Sequence, residues 1–196
     1  MKNFLPIILN LFVVINCYNF SKEEIKIPLE KKYLVLFQNN PEYISDGFDY
    51  PVGKPNGVGY SDAQPFQQNF HLGEDWIKNG RREMGAPIYA TSNGYVYLAE
   101  DVYGGWGQVI MIVHLTKENL FYVSLYGHLQ KIRVQEDQFV KKGDMIGTMG
   151  DANGVYWVHL HFEIRDDIYK DIGPGYSGDT KGYLNPKKFI NKNRKI

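Results

Sequence analysis

The chain has 196 residues, a length that suits one domain with a short appendage. Hydrophobic residues make up 43% and charged residues 22%, which excludes a wholly disordered chain. The 22 Lys and Arg balance the 22 Asp and Glu, so no basic footprint for nucleic acid is present, and the single cysteine cannot form an internal disulfide.

The first element in chain order is a leader. Residues 1–16 (MKNFLPIILNLFVVIN) carry Lys2 and then an apolar run, Phe4 to Ile15, broken only by Pro6 and Asn10. That run is too short for a span of about 20 residues and has the length of a secretory signal. Cys17 comes next. The run Val14-Ile15-Asn16-Cys17 resembles a bacterial lipobox, whose cysteine is lipidated, but Asn16 stands where Gly, Ala or Ser is usual. A lipid-anchored form and a soluble exported form both stay open. The expected layout is a leader with a lipobox at 1–17, a tether or first strand at 18–45, the main domain at 46–190 and a basic tail at 191–196.

Lys31 to Phe37 (KKYLVLF) reads as a strand, and residues 39–68 as a long ordered loop region dense in Gly, Pro, Asn and Tyr. From Ala86 onward short apolar runs alternate with Gly turns. Strands are expected at Tyr95–Ala99, Gln108–His114, Leu120–His128, Met145–Met149 and Val158–Arg165. This spacing predicts a mostly β fold with a compact antiparallel sheet core and long loops walling a groove. No amphipathic helix stands out. The five basic residues of 187–196 read as a solvated end.

The five histidines, His71, His114, His128, His159 and His161, all lie beyond residue 70. His71 and Asp75 are four apart, so one helical turn or one tight loop brings them together. On a strand, His159, His161 and Glu163 share a face, while Leu160 and Phe162 enter the opposite layer. Two imidazoles side by side are costly to bury unpaired, which makes a metal the natural occupant. Two histidines and a carboxylate suit a zinc site with an open fourth position, and Cys17 is badly placed to close it.

From His71 to Phe189 the chain resembles the lysostaphin/LytM-type zinc metallopeptidases, family M23. The matching pieces are His71-x-Gly73-x-Asp75, Gly85-Ala86-Pro87-Ile88-Tyr89-Ala90, Asn93-Gly94-Tyr95-Val96 and Gly105-Trp106-Gly107-Gln108-Val109. Tyr126-Gly127-His128-Leu129, Val140-x-x-Gly143-x-x-Ile146-Gly147 and His159-Leu160-His161-Phe162-Glu163 complete the order. The resemblance implies a duplicated-hybrid-motif-like β fold with Zn2+ held by His71, Asp75 and His161. It makes His128 and His159 the catalytic, non-ligand pair, with the choice of base left open. His114 becomes a structural or ligand-supporting position, or else a substrate contact, and Glu163 and Tyr126 supporting or substrate-contacting positions; for Glu163 a solvent-facing or sheet-pairing role is equally open. The implied activity is hydrolysis of peptide bonds in cell-wall peptidoglycan, in the cell envelope, with membrane contact only through a lipid on Cys17. A zinc-free module that activates another wall hydrolase is the alternative. Where many members carry Ser/Thr-Gly-Pro, this chain has Asn153-Gly154-Val155-Tyr156-Trp157-Val158, so its aromatic loops are expected to alter substrate choice.

Overall fold

The ladder of antiparallel strands expected from the sequence is present in the computed structural model, which describes residues 27–79 and 83–195. The leader, Cys17 and the first part of the tether lie outside the described residues. Two helices and ten strands run in chain order. They are α1 (Leu29–Asn39), β1 (Tyr60–Gln64), β2 (Glu74–Lys78), β3 (Pro87–Tyr89), β4 (Gly94–Asp101), β5 (Gln108–Leu115), β6 (Phe121–Ile132), β7 (Phe139–Val140), β8 (Met145–Met149), β9 (Leu160–Arg165), β10 (Tyr183–Leu184) and α2 (Pro186–Asn193). The main path of the sheet runs β1-β2-β9-β6-β5-β4-β7; β10 joins β9, and β8 joins β3 and β6. The fold is mostly β, as expected.

Both faces of the central strands are covered, which explains why QVIMIVH shows no polar alternation. Ile110 and Ile112 of β5 pack into one core with Phe162 and Ile164. Val109, Met111, Val113 and Leu115 enter a second core with Val123 and Leu125.

Two terminal segments correct the sequence reading. Lys31 to Phe37 is helical, inside α1, rather than a strand. A short apolar run does not distinguish the two by itself. The four-residue spacing of Tyr33 and Phe37 decides it, because both bury against the second core, where Phe37 meets Phe139 edge-on at 5.8 Å. Burial of each ring stabilises by roughly 1.5–3 kcal/mol, which an isolated eleven-residue helix needs. The expected solvated tail is largely α2. Its cap is legible in retrospect: the Asn185 side chain accepts from the Lys188 N–H at 2.8 Å, and Pro186 opens the first turn. Ile190 is fully buried in the first core.

The twelve-residue β6 changes partner midway along its length. It pairs with β9 from Val123 to Gly127 and with β8 from Leu129 to Ile132. Between the two stands His128, with a φ of 60°. A left-handed residue at a partner change is a bulge, and it re-aims the side chain it carries.

Candidate metal centre and its groove

His71, Asp75 and His161 come from three places. His71 forms an isolated bridge with Tyr176, Asp75 lies in β2 and His161 in β9, directly opposite Asp75. The four-residue spacing is therefore realised on extended backbone, not on a helical turn. Gly73, between them, permits it. A Cβ there would lie 2.6 Å from the Phe162 carbonyl oxygen and 3.0 Å from the His161 ring.

The inward atoms form a small triangle. His71 Nε2 is 2.9 Å from His161 Nδ1, and each is 3.2 Å from Asp75 Oδ1. Donors about 2.0–2.2 Å from a tetrahedral zinc ion stand about 3.3–3.6 Å apart, slightly wider than this triangle. All three residues are buried, and among the described residues they form the converging donor group. The outward nitrogens are tied. His71 Nδ1 donates to the Gln64 carbonyl at 3.0 Å, and His161 Nε2 donates to Glu163 Oε1 at 3.0 Å. Each ring thereby turns a lone pair inward. Three lone pairs at this spacing repel unless a proton or a cation sits among them. In the bare cluster the proton goes to His161. Burial pushes that imidazole down, but Asp75 and Glu163 outweigh it and raise it from 6.5 to about 9. Burial likewise pushes the Asp75 carboxyl up, yet the hydrogen bond from His161 and the nearby His71 ring hold it well below the ordinary carboxylate range. The donor set fits a divalent ion.

His128 and His159 flank the triangle, with ring centroids 4.7 Å apart. His159 Nε2 lies 3.6 Å from Asp75 Oδ1. His159 Nδ1 donates to the Trp157 carbonyl at 2.6 Å, and His128 Nδ1 to the Trp106 carbonyl at 3.2 Å. In the neutral form of each ring this leaves Nε2 as an acceptor. Burial, with the charges of His161 and His159, pushes His128 down to about 3, so its ring is neutral near neutral pH. His159 precedes β9 and is fixed by a bridge to Gly150 rather than by the strand expected from residue 158.

A groove of about 720 Å³ contains these groups. Trp106, Tyr156, Trp157 and Tyr176 line it with Gln64 and Gly175. Tyr176 stacks obliquely 5.0 Å from His71, and Tyr156 stands 5.0 Å from His128. The aromatic residues of 153–158 and 175–177 thus wall the groove.

Glu163 is fully buried and holds His161; it does not face solvent. His114 and Tyr126, candidates for a place beside the site or against substrate, do not line the groove. His114 Nδ1 donates to the Asn93 carbonyl at 2.7 Å, and its Nε2 meets the Ser124 hydroxyl at 2.7 Å. Ser124 in turn bonds the Tyr126 hydroxyl at 3.1 Å, which accepts from the Thr91 N–H at 2.9 Å. This is a closed internal network. The sequence reading missed Arg165 and the carbonyls of Gln64, Trp106 and Trp157. A backbone acceptor leaves no mark on a side-chain pattern. Arg165 was legible only as the outer end of the Glu163 face of β9.

The chain is similar to known proteins over part of its length. A protein named lipoprotein NlpD from Yersinia enterocolitica is 46% identical over 81 residues, which are 41% of this chain and 78% of that protein. The murein hydrolase activator NlpD of Escherichia coli K12 is 42% identical over 81 residues, but these span only 20% of its length. Among solved structures, lysostaphin in solution superposes with a TM-score of 0.51 at 24% identity, covering 68% of this chain and 51% of that one. The SpoIIIAH–SpoIIQ complex superposes with a TM-score of 0.56 at 19% identity, covering 74% of this chain and 100% of that one. These two likenesses concern the fold. The description of peptidase family M23 matches residues 69–174. With that match over more than half of its length, the chain belongs to peptidase family M23.

Proposed function

We propose that the protein is a zinc metalloendopeptidase that cuts peptide bonds in the stems or cross-links of bacterial cell-wall peptidoglycan. The observation that carries this reading is the intact triangle, with edges of 2.9 to 3.2 Å, beside two further imidazoles whose Nε2 atoms are free to accept. His71, Asp75 and His161 are the ligands in this reading, and His128 and His159 the catalytic pair. When bound, a zinc ion supplies Lewis-acid polarisation of a carbonyl and activation of water.

The chain's own residues do the rest. Gln64 and Glu163 hold the outer ring N–H groups, so the donors stay aimed inward. An imidazole at 128 or 159 takes a proton at Nε2 while its Nδ1–H remains on a carbonyl. Once protonated, it donates to the developing oxyanion or returns the proton to the leaving amine. Histidine is suited to both directions because its ordinary pKa lies near 6.5, although burial holds His128 well below that in the metal-free protein. The aromatic walls orient an extended peptide and shed water from it.

A second reading has its own support: relatives are named murein hydrolase activators. In that case the groove binds wall peptide without cutting it. One experiment separates the two. Purified wall material is digested with the zinc-loaded full chain, and new termini are identified by mass. New peptide termini support the peptidase. No termini, together with faster cleavage by an added wall amidase, support the activator.

The envelope location rests on the leader, on Cys17 and on relatives named lipoproteins. Cys17→Ala is expected to move the protein from the membrane fraction to the soluble one. Unchanged fractionation would remove the lipid anchor from this reading.

A further inference from the structure

Arg165 is fully buried, and a buried guanidinium is costly unless each of its donors is engaged. Here it is engaged on two sides. Toward the metal centre, Nε and Nη2 meet Glu163 Oε2 at 2.7 and 2.6 Å. The other Glu163 oxygen holds the His161 ring. Away from it, Nη1 donates to the Asp171 carbonyl at 2.7 Å and Nη2 to the Ile172 carbonyl at 2.6 Å. Those two residues start the strap that forms one groove wall. Its next carbonyl, Gly173, accepts the Trp106 indole N–H at 3.0 Å. The Gly175 carbonyl then accepts the Leu72 N–H at 2.9 Å, and Tyr176 bridges to His71.

We propose that Arg165 is a positioning residue that ties both histidine corners of the donor triangle to one guanidinium. Through Glu163 it sets the rotation of the His161 ring. Through the carbonyls of Asp171 and Ile172 it sets the strap that closes over His71. The planar fork is what makes this possible, since it grips a carboxylate and two carbonyls in one plane; a lysine offers a point charge and no fork. This inference rests on the zinc reading and adds a residue that touches neither the ion nor the substrate.

The test is zinc affinity, measured in the full chain by competition with a chromophoric chelator. Arg165→Lys keeps the charge and loses the fork. It is expected to bind zinc about 10–100-fold more weakly, the range for loss of a partner behind a ligand, and to change the cobalt(II) absorption spectrum. Glu163→Gln, nearly isosteric, is the second variant and is expected to weaken zinc binding within the same range. A structural role alone would lower the unfolding midpoint of the metal-free protein and leave zinc affinity and the cobalt spectrum unchanged; that result overturns the proposal. Should neither variant fold, the Arg165 Nε proton is followed by NMR in the unaltered protein. It is expected to shift on zinc addition, and an unmoved resonance overturns the proposal equally. If the unaltered chain binds no zinc, the metal reading itself fails. If it binds zinc and the folded variants match it within about twofold, only the role of Arg165 fails.

Discussion

His114 and His161 are both buried histidines on strands of one sheet, and they have opposite characters. His114 meets a carbonyl and a hydroxyl, its needs are met, and burial pushes it down to about 4. His161 faces two carboxylates and a second imidazole, and is raised to about 9. Burial does not make an imidazole functional. What separates the two is whether the neighbouring atoms complete its hydrogen bonds or leave lone pairs converging.

The largest expected difference comes from truncating each in turn. His161→Ala should abolish zinc binding and turnover together, weakening zinc by more than the roughly 100-fold that loss of an outer partner costs. His114→Ala should leave the zinc affinity of the folded protein unchanged and cost about 2–4 kcal/mol of stability through a cavity and orphaned partners. Zinc titration and urea unfolding of both variants check this. Equal zinc loss in both would dissolve the contrast.

His159→Ala sharpens it within the groove. Zinc should remain bound while kcat falls by about 10²–10⁴-fold, the usual contribution of a general acid or base. Parallel loss of metal would make His159 a ligand.

Gly73→Ala is the next step down. The added Cβ would press on the Phe162 carbonyl and the His161 ring, so β2 must move off β9. An expected loss of about 1–3 kcal/mol comes with weaker zinc binding, read from the same two titrations. A variant with unaltered affinity would mean that the triangle tolerates the shift.

The last pair of effects is in pH. The folded pKa of His161 is raised, so in the chelator-treated protein its contribution to stability is complete below about 6.5 and is lost as pH rises through about 9. The folded pKa of His114 is lowered, so its contribution is present above about 6.5 and is lost as pH falls toward 4. Urea unfolding across pH should lose stability on the alkaline side through one histidine and on the acid side through the other. Zinc reverses the first trend, since a ligand imidazole must shed its proton, and affinity should rise with pH up to about 9. Identical pH profiles with and without zinc would contradict this.

A period of two along the strand made legible only the shared face of His159, His161 and Glu163; the roles proposed for His71, Asp75 and His128 came from the resemblance, and His128 sits at a left-handed φ of 60°. His161 and Glu163 share a face by that rule alone. Apolar runs bounded by Gly turns, not alternation, predicted β5 and β8 closely and the first two thirds of β6. That reading failed where the local pattern is ambiguous: KKYLVLF suits a strand until the burial of Tyr33 and Phe37 selects a helix. It was silent on β1, whose YSDAQ carries no apolar face, yet Gln64 at its end holds His71. His114 sits in a hydrogen-bond network within the core, the structural alternative that its sequence left open beside a substrate contact, and Tyr126 belongs to the same network.

The left-handed kink at His128 limits how this protein can change. One strand serves β9 before that residue and β8 after it; Val123 and Leu125 enter the second core, whereas Leu129, an even number of residues on, enters the first. Insertion or loss of a single residue between Gly127 and Leu129 would invert the second half and point an apolar side chain at the cleft. Strand length here is effectively frozen. Extra length is accommodated more easily in the turns at 102–107 and 151–158, which lie outside the strand ladder.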